Sequence, residues 1–167
     1  MNHNPGISDV SASWRQSLSL PSPLSAVLGD LQSPHPLSLS WLLYGRMLFG
    51  KDVPNIYQNI IGGTTFAHYL EQQMPMPGMG YAEFAERHFA AIQLQVQQQL
   101  GEKHYVSLLA ACAQHAPELK HLLETKTIVG AQLAYAYSTM FGPLGASIGY
   151  CTRTKSPYLQ VSLGYDF

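Results

Sequence analysis

Residues 127–152 read TIVGAQLAYAYSTMFGPLGASIGYCT and contain no charged side chain. Larger apolar residues occupy every second position, with Val129, Leu133 and Tyr135 on one side and small or polar residues between them. This alternation predicts β-strands, because successive side chains of a strand point to opposite faces. The Gly142-Pro143 pair in the middle predicts a turn that joins two strands and breaks any continuous helix. We therefore expect an antiparallel pair of strands here.

The same alternation predicts further strands over residues 10–20, 37–48, 89–100, 104–115 and 159–167. Most of these runs exceed the usual strand of about 5 to 6 residues. They suit the roughly 9 to 11 residues of a tilted membrane strand. Short and long connections tend to alternate between them, as in membrane barrels. The predicted fold class is all-β, an antiparallel meander of six or seven strands that forms part of a transmembrane β-barrel.

Composition supports a membrane environment. The 167 residues are 46% hydrophobic but only 11% charged, with a formal net charge of −1, whereas soluble domains are roughly 25% charged. Nucleic acid is not expected as a partner, since its binders carry basic patches. The first residues show no basic start followed by an apolar segment, so no secretory signal peptide is predicted.

Two regions are expected. Residues 1–36 form an irregular, proline-rich segment with one candidate strand, and residues 37–167 carry the barrel strands with a long loop at 51–79. Because the smallest barrels need about 8 strands, we expect further strands or another chain to close this one.

Three passages resemble the C-terminal barrel of the bacterial outer-membrane surface-antigen superfamily, most of all its branch fused to patatin-like phospholipases. They are residues 59–63 (NIIGG) with 68–75 (HYLEQQMP), residues 137–144 (YSTMFGPL) and residues 161–167 (VSLGYDF). In that family a Gly-Gly pair opens a loop whose Arg-Gly-aromatic tip enters the barrel lumen, and five strands follow. The order of these features along this sequence is the same.

The resemblance implies three groups of functional residues. The lumen-loop motif would be Gly62, Gly63, His68 and Tyr69, with His68 departing from the arginine that is typical of the family. The other two groups are a barrel turn motif of Phe141, Gly142, Pro143 and Leu144, and a C-terminal assembly signal of Leu159, Val161, Leu163, Tyr165 and Phe167.

The resemblance also implies a function. The segment would be the C-terminal part of an outer-membrane barrel in a Gram-negative bacterium. It would anchor, and could translocate or display, a phospholipase domain that this chain lacks. Expected partners are the lipid bilayer, the outer-membrane assembly machinery and the missing strands, and no cofactor is expected. The chain is then expected to be a fragment and not itself an enzyme.

Two alternatives stay open. One is a soluble β-sandwich that serves as a binding module. The other is a serine hydrolase using Ser147, since Gly145-Ala146-Ser147-Ile148-Gly149 matches Gly-x-Ser-x-Gly. That motif requires a sharp turn from a strand into a helix, but here it lies within a strand pattern, so we expect a chance match.

The cysteines and histidines suggest no metal site. Cys112, His115 and His121 form the only cluster, and a zinc site needs about three or four converging ligands. Whether Cys112 and Cys151 pair is left open by the sequence.

Overall fold

The structure, a computed structural model, describes residues 6–21, 37–51, 53–66, 71–100, 102–140 and 142–163. Seven long strands form one antiparallel sheet. They are β1 (Ser8–Leu20), β2 (Leu37–Phe49), β6 (His88–Leu100), β7 (His104–Ala116), β8 (Ile128–Thr139), β9 (Gly142–Cys151) and β10 (Pro157–Leu163). A small sheet contains β3 (Asn59–Ile61), β4 (Gln73–Met74) and β5 (Phe84–Glu86). The predicted all-β meander is confirmed.

The seven long strands lie side by side in chain order, β1-β2-β6-β7-β8-β9-β10. Each pairs with its neighbours in antiparallel register, as the pairs Gln95–Leu109 and Leu133–Ile148 illustrate. In the described residues β1 and β10 do not pair with each other, so the sheet has two open edges, as expected for part of a barrel. Within the same residues, no helix has the length and apolar character needed to cross a membrane.

The two faces of this sheet differ. On the outer face, large apolar side chains are exposed. Its members include Val10, Trp14, Leu18, Leu43, Ile92, Leu94, Leu108, Val129, Leu133, Tyr135, Leu144, Ile148, Tyr150, Leu159, Val161 and Leu163. We call the seven-stranded sheet the wall. In the described residues no second sheet packs on its outer face, and the small three-stranded sheet lies on its inner face.

The inner face is covered by the connection between β2 and β6, which we call the inner loop (residues 50–87). Buried side chains of the inner loop, such as Ile61 and Met76, join Phe89, Ala111 and Ile128 of the wall in one apolar cluster. Burial of apolar surface between loop and wall is the main contribution to stability that this arrangement offers.

The inner loop corrects one expectation. The predicted loop at 51–79 extends further and holds β3, β4, β5 and a 3-10 turn at Asn55–Tyr57. Strands of two or three residues are too short to show a period-two pattern, which needs roughly 4 to 8 residues.

The strand ends also differ slightly from the prediction. Gly142 and Pro143, predicted to form a turn, are instead the first two residues of β9, and Gly142 pairs with Thr139 of β8. β10 begins at Pro157, a first-residue position in an edge strand, where the missing N–H of proline is tolerated.

The candidate strand at residues 10–20 is found as β1. It pairs with β2 over its whole length, from Ser8–Phe49 to Leu20–Leu37. The N-terminal strand β1 is therefore part of the same sheet as the strands after residue 36.

Candidate functional site

The inner loop meets the wall through residues 73–80, QMPMPGMG. The side chains of Met74, Met76 and Met79 are at most 4% exposed, and Pro75 and Pro77 are also fully buried. Methionine suits such a buried contact surface, because its unbranched thioether side chain fills irregular gaps. The segment is thus an apolar plug laid across the inner face.

Glycines of the wall make room for this plug. Gly130 on β8 and Gly149 on β9 both lie on the inner face, and a Cβ on Gly149 would approach the Cα of Gly78 to 2.6 Å. A Cβ on Gly130 would overlap the carbonyl oxygen of Pro77. Any larger residue at either position would displace the plug or bend the strand.

Two wall side chains hold the plug by hydrogen bonds. The buried hydroxyl of Tyr44 donates to the carbonyl oxygen of Pro75. Further along the same inner face, Oε1 of Gln132 on β8 accepts from the N–H of Gly78 at 3.4 Å. A buried carbonyl or N–H without a partner is costly, so these two residues contribute to positioning the plug.

The glycine pair of the predicted lumen-loop motif lies where the inner loop turns back on itself. Gly62 has φ +141° and Gly63 φ +77°, a region that favours glycine. The N–H of Gly63 donates to the oxygen of Gly80 (3.0 Å), and its own carbonyl accepts from Met76 (2.8 Å). The pair therefore ties the end of β3 to the plug.

The other half of that motif, His68 and Tyr69, lies outside the described residues. Their entry into a lumen stays a prediction.

Asn59 fixes the base of the loop. Its side chain is fully buried, and its amide nitrogen donates to the carbonyl oxygens of Arg46 and Arg87, both at 3.0 Å. Arg46 in turn donates to the amide oxygen of Asn59 at 3.3 Å. One side chain thus joins β2, β3 and the entry to β6.

Sequence reasoning did not single out Tyr44, Asn59, Gln132, Gly130 or Gly149 as site residues. A signal was present for part of this set, since PMPGMG is an apolar run inside an otherwise polar connection. The pairing of Tyr44 with Pro75 spans 31 residues, and no local pattern reports such a contact.

The turn motif and the C-terminal signal are partly described. Gly142 (φ +111°), Pro143 and Leu144 begin β9, while Phe141 lies outside the described residues. Leu159, Val161 and Leu163 project from the outer face with 71%, 66% and 78% exposure. Tyr165 and Phe167 are outside the described part, and a role of this series in assembly stays a prediction.

A cluster of ring side chains lies at the end of the wall opposite to the one where the inner loop emerges. Nδ1 of His104 lies 2.6 Å from the hydroxyl of Tyr135, and the His104 and Tyr137 rings are 4.9 Å apart. Amphipathic rings at strand ends are typical of the interface girdles of membrane barrels.

Ser147 lies in the middle of β9, between Ala134 of β8 and Gln160 of β10. Its hydroxyl accepts a hydrogen bond of 2.7 Å from Gln132. The strand continues beyond it to Cys151, so Ser147 does not stand on a turn from a strand into a helix.

The Cys112, His115 and His121 cluster is not assembled. Cys112 points outward, His115 points inward, and the exposed His121 contacts Glu124 at 2.7 Å. Among the described residues, no three His, Cys, Asp or Glu side chains could hold a metal ion. Cys151 is buried on the inner face and is not paired with Cys112.

These features define a wall of a membrane β-barrel with an apolar outer face and a loop folded over its inner face. A family model described as the OMP85 superfamily matches residues 34–167. The chain belongs to this superfamily of β-barrel proteins of the bacterial outer membrane. Comparison with curated proteins and with solved structures gives no match.

Proposed function

We propose that this segment is the C-terminal wall of an outer-membrane barrel of the patatin-fused branch. It would anchor, and translocate or display, a patatin-like phospholipase domain that lies outside these 167 residues. The observation that carries the proposal is the order of elements. The inner loop, which carries the Gly62-Gly63 pair, lies over the inner face, and five wall strands, β6 to β10, follow it.

The connections support an orientation in the membrane. At one end of the wall, 38, 11 and 5 residues join β2 to β6, β7 to β8 and β9 to β10; at the other end, 3 and 2 residues join β6 to β7 and β8 to β9, and 16 residues join β1 to β2. Outer-membrane barrels have short periplasmic turns and longer outer loops. We infer that the inner loop enters from the cell surface and that β10 ends at the periplasmic side.

The wall part of the proposal is tested by refolding the chain into detergent micelles. We expect strand-type circular dichroism and a species that migrates faster on a gel when it is not heated. A folded monomer that needs no detergent would contradict membrane insertion.

The phospholipase part needs a separate test. An antibody against residues 117–127 would be used to blot outer membranes of the source bacterium and to precipitate the reactive polypeptide. We expect a polypeptide much larger than these 167 residues whose precipitate cleaves phospholipid. A band of the size of this chain without lipolytic activity would contradict the phospholipase part and leave the wall part intact.

A further inference from the structure

A cluster of polar and aromatic side chains joins three distant parts of the chain at the end of the wall where the inner loop emerges. Glu86 comes from β5 of the inner loop, His115 from β7, and Arg153 from the turn after β9. Oε2 of Glu86 lies 3.2 Å from Nδ1 of His115, and an Arg153 N–H group lies 3.3 Å from Nε2 of the same ring. The imidazole thus bridges the loop to the turn.

An aromatic ring completes the cluster. The guanidinium carbon of Arg153 lies 3.8 Å from the centre of the Phe84 ring, which is cation–π geometry. The same ring meets the His115 ring edge to face at 5.2 Å. The side chains of His115 and Glu86 are only 11% and 19% exposed, so their contact is shielded from water.

The two contacts of the imidazole define its protonation. Arginine can only donate hydrogen bonds, so Nε2 must accept from Arg153 and carry no proton. The Glu86 carboxylate is an acceptor, and Nδ1 must therefore donate. Only a neutral ring protonated on Nδ1 satisfies both neighbours.

We propose that Glu86, His115 and Arg153 form a clamp that fixes the inner loop to the β9–β10 turn through a neutral, Nδ1-protonated His115. The clamp then positions the inner loop at the end that leads into β6. The proposal concerns the wall alone and does not depend on the phospholipase domain.

The clamp requires the lone pair of the His115 Nε2. A proton on Nε2 removes the acceptor that Arg153 uses and places two cations at 3.3 Å, while the contact with Glu86 is strengthened. Two neighbouring residues do not offer Arg153 another acceptor. Phe89 of β6, which is in register with His115, is uncharged, and the Arg87 guanidinium donates to the carbonyl oxygen of Gly50 at 2.8 Å. The link between the turn and the loop therefore depends on an unprotonated Nε2.

The first test uses the unmodified chain in micelles. Nitrogen-15 NMR of the histidine side chains distinguishes the two neutral tautomers and the imidazolium. We expect His115 at neutral pH to show a protonated Nδ1 and an unprotonated Nε2. A proton on Nε2 at neutral pH, in either the other tautomer or the cation, would overturn the clamp.

The second test measures amide hydrogen exchange in β3 and β5. Glu86→Ala and Arg153→Gln should each raise exchange there by about tenfold, as expected for loss of a charge-assisted contact. Glu86→Gln keeps an acceptor oxygen and should restore slow exchange. The control is His121→Ala, which removes an exposed His–Glu pair of 2.7 Å in the 117–127 loop.

The outcomes separate positioning from general instability. Faster exchange confined to the inner loop and the turn supports the clamp. Unchanged exchange in both variants, or equal acceleration by His121→Ala, would contradict it. If a variant fails to fold, the measurement of the His115 tautomer on the unmodified chain still tests the clamp.

Discussion

Gly149 on β9 lies against Gly78 of the inner loop, so close that a Cβ on Gly149 would come within 2.6 Å of the Gly78 Cα. The contact is between two backbones, and neither can move aside as a flexible side chain can. Gly78 itself has φ +79°, a conformation that glycine adopts readily. The inner loop therefore lies on the wall by direct backbone contact.

This contact predicts that Gly149→Val will displace the inner loop. Valine favours strands, so the main loss is expected from the collision with Gly78, with a smaller contribution from the Ala131 carbonyl oxygen, 3.0 Å from the added Cβ. Overpacking of this kind costs about 1–3 kcal/mol. We expect a lower free energy of unfolding in micelles and faster amide exchange in residues 73–80.

The matched control is Gly145→Val on the same strand and face. A Cβ there would meet Oγ of Ser162, at 2.7 Å, as its nearest neighbour, and this side chain can rotate away. Equal destabilisation by both substitutions would show that strand geometry, and not the loop contact, requires glycine.

The wall strands were predictable because each is long enough to show its period. Val129 and Leu133 alternate with Gly130 and Gln132, and the structure places the two pairs on opposite faces.

The contacts between the inner loop and the wall could not be predicted in the same way. Gly130 and Gly149 look like ordinary small residues of a strand until the plug is placed against them. The contacts of Tyr44 with Pro75 and of Asn59 with Arg87 join residues 31 and 28 positions apart. Such contacts arise from tertiary packing and leave no periodic trace in the sequence.

Tyr44→Phe tests the hydrogen bond that holds the plug. The substitution removes the donor to the Pro75 carbonyl in a place where Tyr44 is only 3% exposed. Leaving a buried acceptor unpaired costs about 1–3 kcal/mol. We expect that loss in urea unfolding followed by circular dichroism.

Tyr135→Phe is the comparison for this prediction. Its hydroxyl also takes part in a hydrogen bond, with His104, but Tyr135 is 45% exposed. A loss for Tyr135→Phe as large as that for Tyr44→Phe would contradict the role given to the buried contact.

The two cysteines should remain free after oxidation. Cys112 points to the outer face and Cys151 to the inner face, and a disulfide requires Cβ atoms about 3.5–4.5 Å apart with suitably directed bonds. The folded chain would be treated with a mild oxidant, denatured and labelled with a thiol reagent. Mass spectrometry should find two labels per chain. A monomer without label would contradict the assignment of Cys112 and Cys151 to opposite faces.

Charge on the outer face should be far more harmful than charge on the inner face. Leu133 lies in mid-strand, paired with Ile148, and the two are 50% and 53% exposed. If that face contacts lipid, Leu133→Arg costs about 2–4 kcal/mol near the bilayer centre. Gln97→Arg places the same charge on the inner face, where Gln97 pairs with Ser38 and Ser107. The free energy of unfolding in lipid vesicles should fall for the first variant and stay within about 1 kcal/mol for the second, whereas equal losses would mean that the exposed apolar face does not meet lipid.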